Sequence, residues 1–145
     1  MSWNRVACFH VQGVPKATPR PRACVRGRRA SVYDPGTADA WKKLIGLTAR
    51  KHLPATPIGG PVMLDMVFYF PRPQRMQGKN VPLGTPVHSV KPDLDNLVKA
   101  VADALTRARM WRDDSQICDW SAKKFYVEPG QQPGCSIFVF VEGQE

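Results

Sequence analysis

The stretch Lys91–Arg107, KPDLDNLVKAVADALTR, decides how the rest of the chain is read. Leu94, Leu97, Val98, Val101 and Leu105 recur at i, i+3, i+4, i+7 and i+11, which is one apolar helical stripe. Asp93 directly follows Pro92 and is an N-cap candidate. With the stripe facing inward, Asp95 and Lys99, four residues apart, share one flank of the helix. Asp93 precedes the first full turn and leans toward the same end. Past the helix, Arg112-Asp113-Asp114-Ser115 reads as a tight polar turn.

Upstream, Gly59, Gly60 and Pro61 break the chain before Val62–Phe70 (VMLDMVFYF). Val62, Leu64, Met66, Phe68 and Phe70 alternate onto one face, as in a strand, and leave Asp65 on the other as a surface residue. Val6–Val14 reads as a first strand. Thr37–His52 reads as a helix with Trp41, Leu44, Ile45 and Thr48 as its buried stripe. Gln116–Val127 and Cys135–Glu142 close the chain as two strands around a Pro/Gly turn. The expected order is β-α-β-α-β-β in a single domain, residues 1–145, of the α+β (mixed α/β) class. Two long loops, Pro15–Pro35 and Pro71–Pro92, interrupt it. Loops of that length in a small domain usually bind something or are disordered.

Charge narrows the partners. The chain has 145 residues, with 21 Lys and Arg against 12 Asp and Glu, for a net charge of +9. Such a field attracts polyanions, nucleic acid before an anionic membrane. The first loop carries Lys16, Arg20, Arg22, Arg26, Arg28 and Arg29, and the second Arg72, Arg75, Lys79 and Lys91. Neither stretch of cations contains an acid, so both suit a phosphate backbone. Nothing resembles base readout, so shape and backbone are the expected targets. Trp41, Phe68 and Phe70 are core candidates. Packing is also the expected role of Trp111 and Trp120, ahead of stacking on an unpaired base.

The cysteines exclude another class. Cys8, Cys24, Cys118 and Cys135 show no C-x-x-C spacing and lie near no suitable histidine in sequence, so a zinc site is not expected. Two of them sit in apolar strand-like runs and read as buried reduced thiols. No signal peptide or membrane span is read, and a cytoplasmic protein is expected.

The chemistry is sought where a basic chain concentrates acid. Mg²⁺ prefers oxygen and takes one or two carboxylates plus water and phosphate. Held at a phosphodiester, it lowers the pKa of a bound water and neutralises phosphoryl charge. A nearby lysine stabilises the transition state. Asp93, Asp95, Asp114 and Lys99 supply those parts if the polar turn folds back onto the helix start. Singly, each acid has a plainer role as cap, surface ion pair or turn residue.

In order along the chain, Lys91-Pro92-Asp93-Leu94-Asp95-Asn96-Leu97-Val98-Lys99, Asp103-Ala104-Leu105 and Asp113-Asp114-Ser115-Gln116-Ile117 resemble the signature of RusA endonucleases. Lys16–Arg22 resembles the K-x-x-P-R-P-R stretch of phage-type members. The resemblance spans most of the chain and is strongest over Lys91–Lys124. It implies a homodimer with helices packed on a mixed sheet, resolving four-way (Holliday) DNA junctions by symmetric paired nicks. It implies that Asp93, Asp95 and Asp114 bind the metal (Mg²⁺, with Mn²⁺ as a substitute), that Asp113 supports them, and that Lys99 assists catalysis. Lys124 matches a basic strand position and is grouped with the DNA contacts. No organic cofactor or membrane partner is implied. Two other functions remain open at this point: a branched-DNA-binding protein without cleavage, and a nuclease for flaps or other branches.

Overall fold

Every second side chain from Val62 to Phe70 is buried, so alternation alone aims this strand's apolar face at the core. A computed structural model describes residues 2–19, 22–26, 29–33, 38–78 and 83–143, with 22–26 and 29–33 described by main-chain pairing. The strands are β1 (Trp3–Gln12), β2 (Arg22–Arg26), β3 (Arg29–Tyr33), β4 (Val62–Phe70), β5 (Ile117–Tyr126) and β6 (Gly134–Glu142). The helices are α1 (Asp39–Ala49) and α2 (Leu94–Arg107). The fold is a small α+β domain.

Four strands form one mixed sheet in the order β1-β6-β4-β5. β4 and β5 run parallel, and the other pairings are antiparallel. Parallel neighbours need a long crossover, and α2 supplies it. This connection sets α2 antiparallel to β4, so the helix starts near the end of β4 and finishes near its beginning. Both helices pack on one face of the sheet. Ile45, Leu97, Val101 and Leu105 join Leu64, Met66, Phe68, Ile137 and Val139 in one buried core.

α2 keeps the expected stripe, with Leu97, Val98, Val101 and Leu105 buried and Leu94 partly so. It begins at Leu94 rather than Lys91, because Pro92 and extended Asp93 stand outside it. It ends where Arg109 takes φ 69°, the left-handed closure in which Arg109 and Met110 donate back to Thr106 and Leu105.

Several expectations are corrected. β1 starts at Trp3, because Trp3–Arg5 pair with Phe140–Glu142, a register that no local pattern reveals. On α1 the buried set is Trp41, Lys42, Ile45 and Ala49, whereas Leu44 is exposed and Thr48 donates to the Leu44 carbonyl at 2.9 Å. Lys42 can be buried on that flank because it reaches Asp103 of α2 at 3.4 Å, a partner that no local pattern reveals. The first loop is not all irregular, since β2 and β3 pair antiparallel within it. Its arginines hid two short β-rich runs only two residues apart. The thiol of Cys135 is buried and pushed up by burial, but Cys8 and Cys118 are exposed. No described helix is long and apolar enough to cross a membrane.

Candidate active site

The site is built on α2 and the segments at its two ends. Asp93 occupies the N-cap position, yet its side chain caps nothing. An N-cap aspartate normally accepts from the first turn; here the carboxylate is left exposed instead. Asp95, in the first turn, is also exposed. Among the described residues neither has a hydrogen-bond or salt-bridge partner. Two carboxylates at a helix N-terminus are tolerated because the helix dipole offsets part of their repulsion.

What precedes Asp93 is firmly held. Lys124 donates from Nζ to the carbonyls of Val90 and Pro92 at 2.8 and 2.7 Å. His88 donates its main-chain N–H to the Lys124 carbonyl at 3.1 Å. Its ring stacks on Phe70 with centroids 4.2 Å apart and packs against Tyr126. Burial first, and then the Lys124 charge, hold the His88 pKa below its ordinary value. From the other side Thr18 N–H donates to the Asn96 carbonyl at 3.1 Å. Beside Asp93 opens a groove of ≈ 770 Å³ whose lining includes Lys16, Lys91, Phe70, Pro92 and Asn96. Lys16 and Lys91, two of the expected DNA contacts, thus stand at the acidic helix start.

The second acidic pair is organised differently. Asp113 caps the short turn Asp114–Gln116, its Oδ1 accepting from Ser115 N–H at 2.8 Å. The Gln116 side chain is fully used. Its Oε1 accepts from Arg112 and Asp113 N–H at 2.9 Å each, and its Nε2 donates to the Ile58 and Gly60 carbonyls at 2.8 and 2.9 Å. This amide locks the turn to the lead-in of β4. The Ser115 main-chain N–H lowers the Asp113 pKa, while hydrogen bonding to Asp113, then burial, raises that of Asp114.

The turn lies against α2, where the Asp103 charge raises and the Lys99 charge lowers the Asp114 pKa. Asp95, Lys99 and Asp103 follow at i, i+4 and i+8 along that flank. Among the described residues no three His, Cys, Asp or Glu side chains gather into a cation site. The donor chemistry still fits a hard cation, which needs only one or two carboxylates besides water and phosphate. Asp93 and Asp95 provide these without another partner to displace.

Of the expected DNA contacts, Arg75 is exposed. Arg72 is corrected: it is 7% exposed, and its guanidinium donates to the carbonyls of Val127, Met76 and Gly84. It braces the second loop instead of facing solvent. Lys124, too, is committed to carbonyls, those of Val90 and Pro92. Arg20, Arg28 and Lys79 lie outside the described residues, as do the side chains of Arg22, Arg26 and Arg29. Trp111 is buried and donates to Thr106 Oγ1 at 2.7 Å. Trp120 is 44% exposed on β5 and is not core. Asp65 lies on the sheet face away from the helices. Sequence reasoning missed the clamping roles of Lys42, His88 and Gln116. Their partners are distant main-chain atoms, a facing helix or ring faces, which leave no local signal.

Residues 12–139 match the model of the family described as Endodeoxyribonuclease RusA. The chain belongs to the RusA family. Family membership makes it a hydrolytic nuclease acting on DNA. The uncharacterized protein YqaN of Bacillus subtilis (strain 168) is 37% identical over 125 residues, or 83% of this chain and 87% of that protein. The crossover junction endodeoxyribonuclease RusA of Escherichia coli (strain K12) is 53% identical over 38 residues, 26% of this chain and 32% of that one. The protein of the same name from Enterobacteria phage 82 matches to the same extent. RusA-family nucleases are generally dependent on a divalent metal.

Proposed function

We propose that this RusA-family protein resolves four-way DNA junctions in recombination and repair, by paired symmetric nicks, with Mg²⁺ as its metal and Mn²⁺ as a substitute. The observation that carries the reading is the start of α2: two exposed carboxylates, Asp93 and Asp95, have no partner among the described residues, and Asp93 lines one groove with Lys16 and Lys91. Such an arrangement repels a phosphodiester unless a cation intervenes, and the flanking lysines attract that same phosphodiester.

Asp93, Asp95 and Asp114 are the residues that would hold the cation. When bound, a divalent cation supplies an activated water and neutralises charge on the scissile phosphate. Lys99, on the flank between the two acidic pairs, stabilises the negative charge that develops on the phosphoryl and leaving oxygens. Asp113 fixes the turn that carries Asp114. Lys124 holds the chain that enters Asp93. The DNA backbone is gripped by Lys16, Arg75 and Lys91, and by Arg20, Arg22, Arg26, Arg28, Arg29 and Lys79 of the basic loops. A small monomer offers little surface for four DNA arms. A two-fold homodimer matches a two-fold junction and brings two sites to opposing strands.

The test is cleavage of an end-labelled mobile four-way junction beside a flap and a linear duplex, in Mg²⁺, Mn²⁺ and EDTA. Symmetric nicks confined to the junction and abolished by EDTA are expected. Cutting at the flap alone would replace this reading with a flap nuclease. Tight binding without breaks in either metal would leave only a DNA-binding role.

A further inference from the structure

A second groove, of ≈ 490 Å³, runs between α1 and α2, away from the start of α2. Lys43 and Gly46 of α1, with Arg50 just past its end, form one wall, and Ala104 and Arg107 of α2, with Ala108 just past its end, form the other. Lys43, Gly46 and Arg50 stand at i, i+3 and i+7 and so share one helix face. Gly46 leaves that wall open: a Cβ placed there would meet nothing within 4 Å.

The charge of this groove is not neutralised. Lys42 at its base is paired with Asp103 at 3.4 Å. Lys43, Arg50 and Arg107 are exposed and have no salt-bridge partner among the described residues. Both helices end here, and each contributes about half a negative charge from its terminal carbonyls. Three full positive charges outweigh those two partial ones. A second copy of this chain would bring its own net charge of +9 against them, so self-association is disfavoured on this surface.

The spacing suits a polymer better than a small anion. Lys43 and Arg50 are about 10 Å apart along α1, and strand phosphates advance about 3.4 Å each along a duplex axis. Lys43 and Arg50 are thus spread over about two helical turns, with Arg107 on the opposite wall of the same groove. Along α2, Asp95, Lys99, Asp103 and Arg107 occupy successive turns, so Arg107 lies about 18 Å of helix from Asp95. We propose that the α1–α2 groove binds the phosphodiester backbone of a DNA arm away from the cut site, a contact separate from both basic loops. This rests on the reading of the chain as a DNA nuclease.

The test is binding of a labelled four-way junction in EDTA across a salt series. It compares wild type, the combined Lys43→Ala, Arg50→Ala and Arg107→Ala variant, Gly46→Glu, and Asn4→Asp. Gly46→Glu removes a helix glycine and sets a carboxylate between Lys43 and Arg50, so it keeps the test valid if the triple variant fails to fold. Asn4→Asp makes the same charge change at the far end of β1. Without its three groove cations the protein should neutralise about three fewer phosphates. The slope of log affinity against log salt should then become shallower by about two to three, and affinity at physiological salt should fall roughly tenfold or more. Gly46→Glu should weaken binding in the same direction, and Asn4→Asp should leave it unchanged. Wild-type slope and affinity in both groove variants would overturn the groove's role while leaving the nuclease reading standing. A wild-type protein that neither binds nor cuts the junction would overturn both.

Discussion

The two acidic pairs of this chain carry the same side chains in opposite circumstances. Asp93 and Asp95 start a helix, are exposed, and have no partner among the described residues. Asp113 is bound into its own turn, and hydrogen bonding to Asp113 leads the causes that raise the Asp114 pKa. The first pair makes no side-chain contact among the described residues that holds the fold. The second pair is part of the fold. Substitution should therefore separate them: the helix start should affect catalysis without affecting stability, and the turn should affect both.

Gln116→Glu strikes the turn hardest. The new carboxylate oxygen would face the Ile58 and Gly60 carbonyls in place of a donor. A loss of about 2–4 kcal/mol is expected in denaturant unfolding, with cleavage reduced because Asp114 loses its placement. Unchanged stability would mean that the turn is not locked to β4 as described. Arg72→Ala extends the contrast to cations. It strands the buried carbonyl of Val127 and the part-buried carbonyl of Gly84 and should destabilise by about 2–3 kcal/mol, whereas Arg75→Ala, at an exposed position, should change stability by under about 0.5 kcal/mol. Equal effects from the two would erase the distinction between engaged and unengaged charge.

Asp113 offers a finer cut. Asp113→Ala removes the cap and should lower stability in denaturant unfolding, while Asp113→Asn keeps an acceptor for Ser115 and should lower it much less. A loss with Asn as large as that with Ala would assign the effect to charge rather than capping.

The smallest effect concerns His88 beneath the site. Its folded pKa is depressed by burial and by Lys124. Below the ordinary histidine value the unfolded chain binds a proton that the folded one refuses, so stability falls as pH drops from about 6.5 toward the depressed value. The slope from this one group is at most about 1.4 kcal/mol per pH unit. His88→Phe keeps a ring on Phe70 and should flatten the acid side of the stability profile. An unchanged profile would place the titration on another group.

The same distinction explains what the sequence could reveal. Periodicity exposes side chains that meet a continuous apolar surface, so the stripe of α2 and the alternation of β4 were legible. The aspartates were legible too, because acids concentrated in a basic chain stand out. Arg72 and Lys42 were not, since a charged side chain that crosses to carbonyls or to a facing helix looks like a surface charge until the chain is folded. Asp93 was legible only in part: its N-cap position follows from the sequence, but not that its carboxylate caps nothing. The placement of the turn depends on Gln116 gripping Ile58 and Gly60, more than fifty residues away, and no local pattern encodes it.

The most direct test is Asp95→Asn, measured for junction binding in EDTA, cleavage in Mg²⁺ and unfolding by denaturant. Cleavage should be reduced at least about a hundredfold. Binding should be retained or tighter because a negative charge near phosphate is gone, and stability should stay within about 0.5 kcal/mol of wild type. Cleavage at the wild-type rate by the folded variant would contradict the assignment of catalysis to the start of α2.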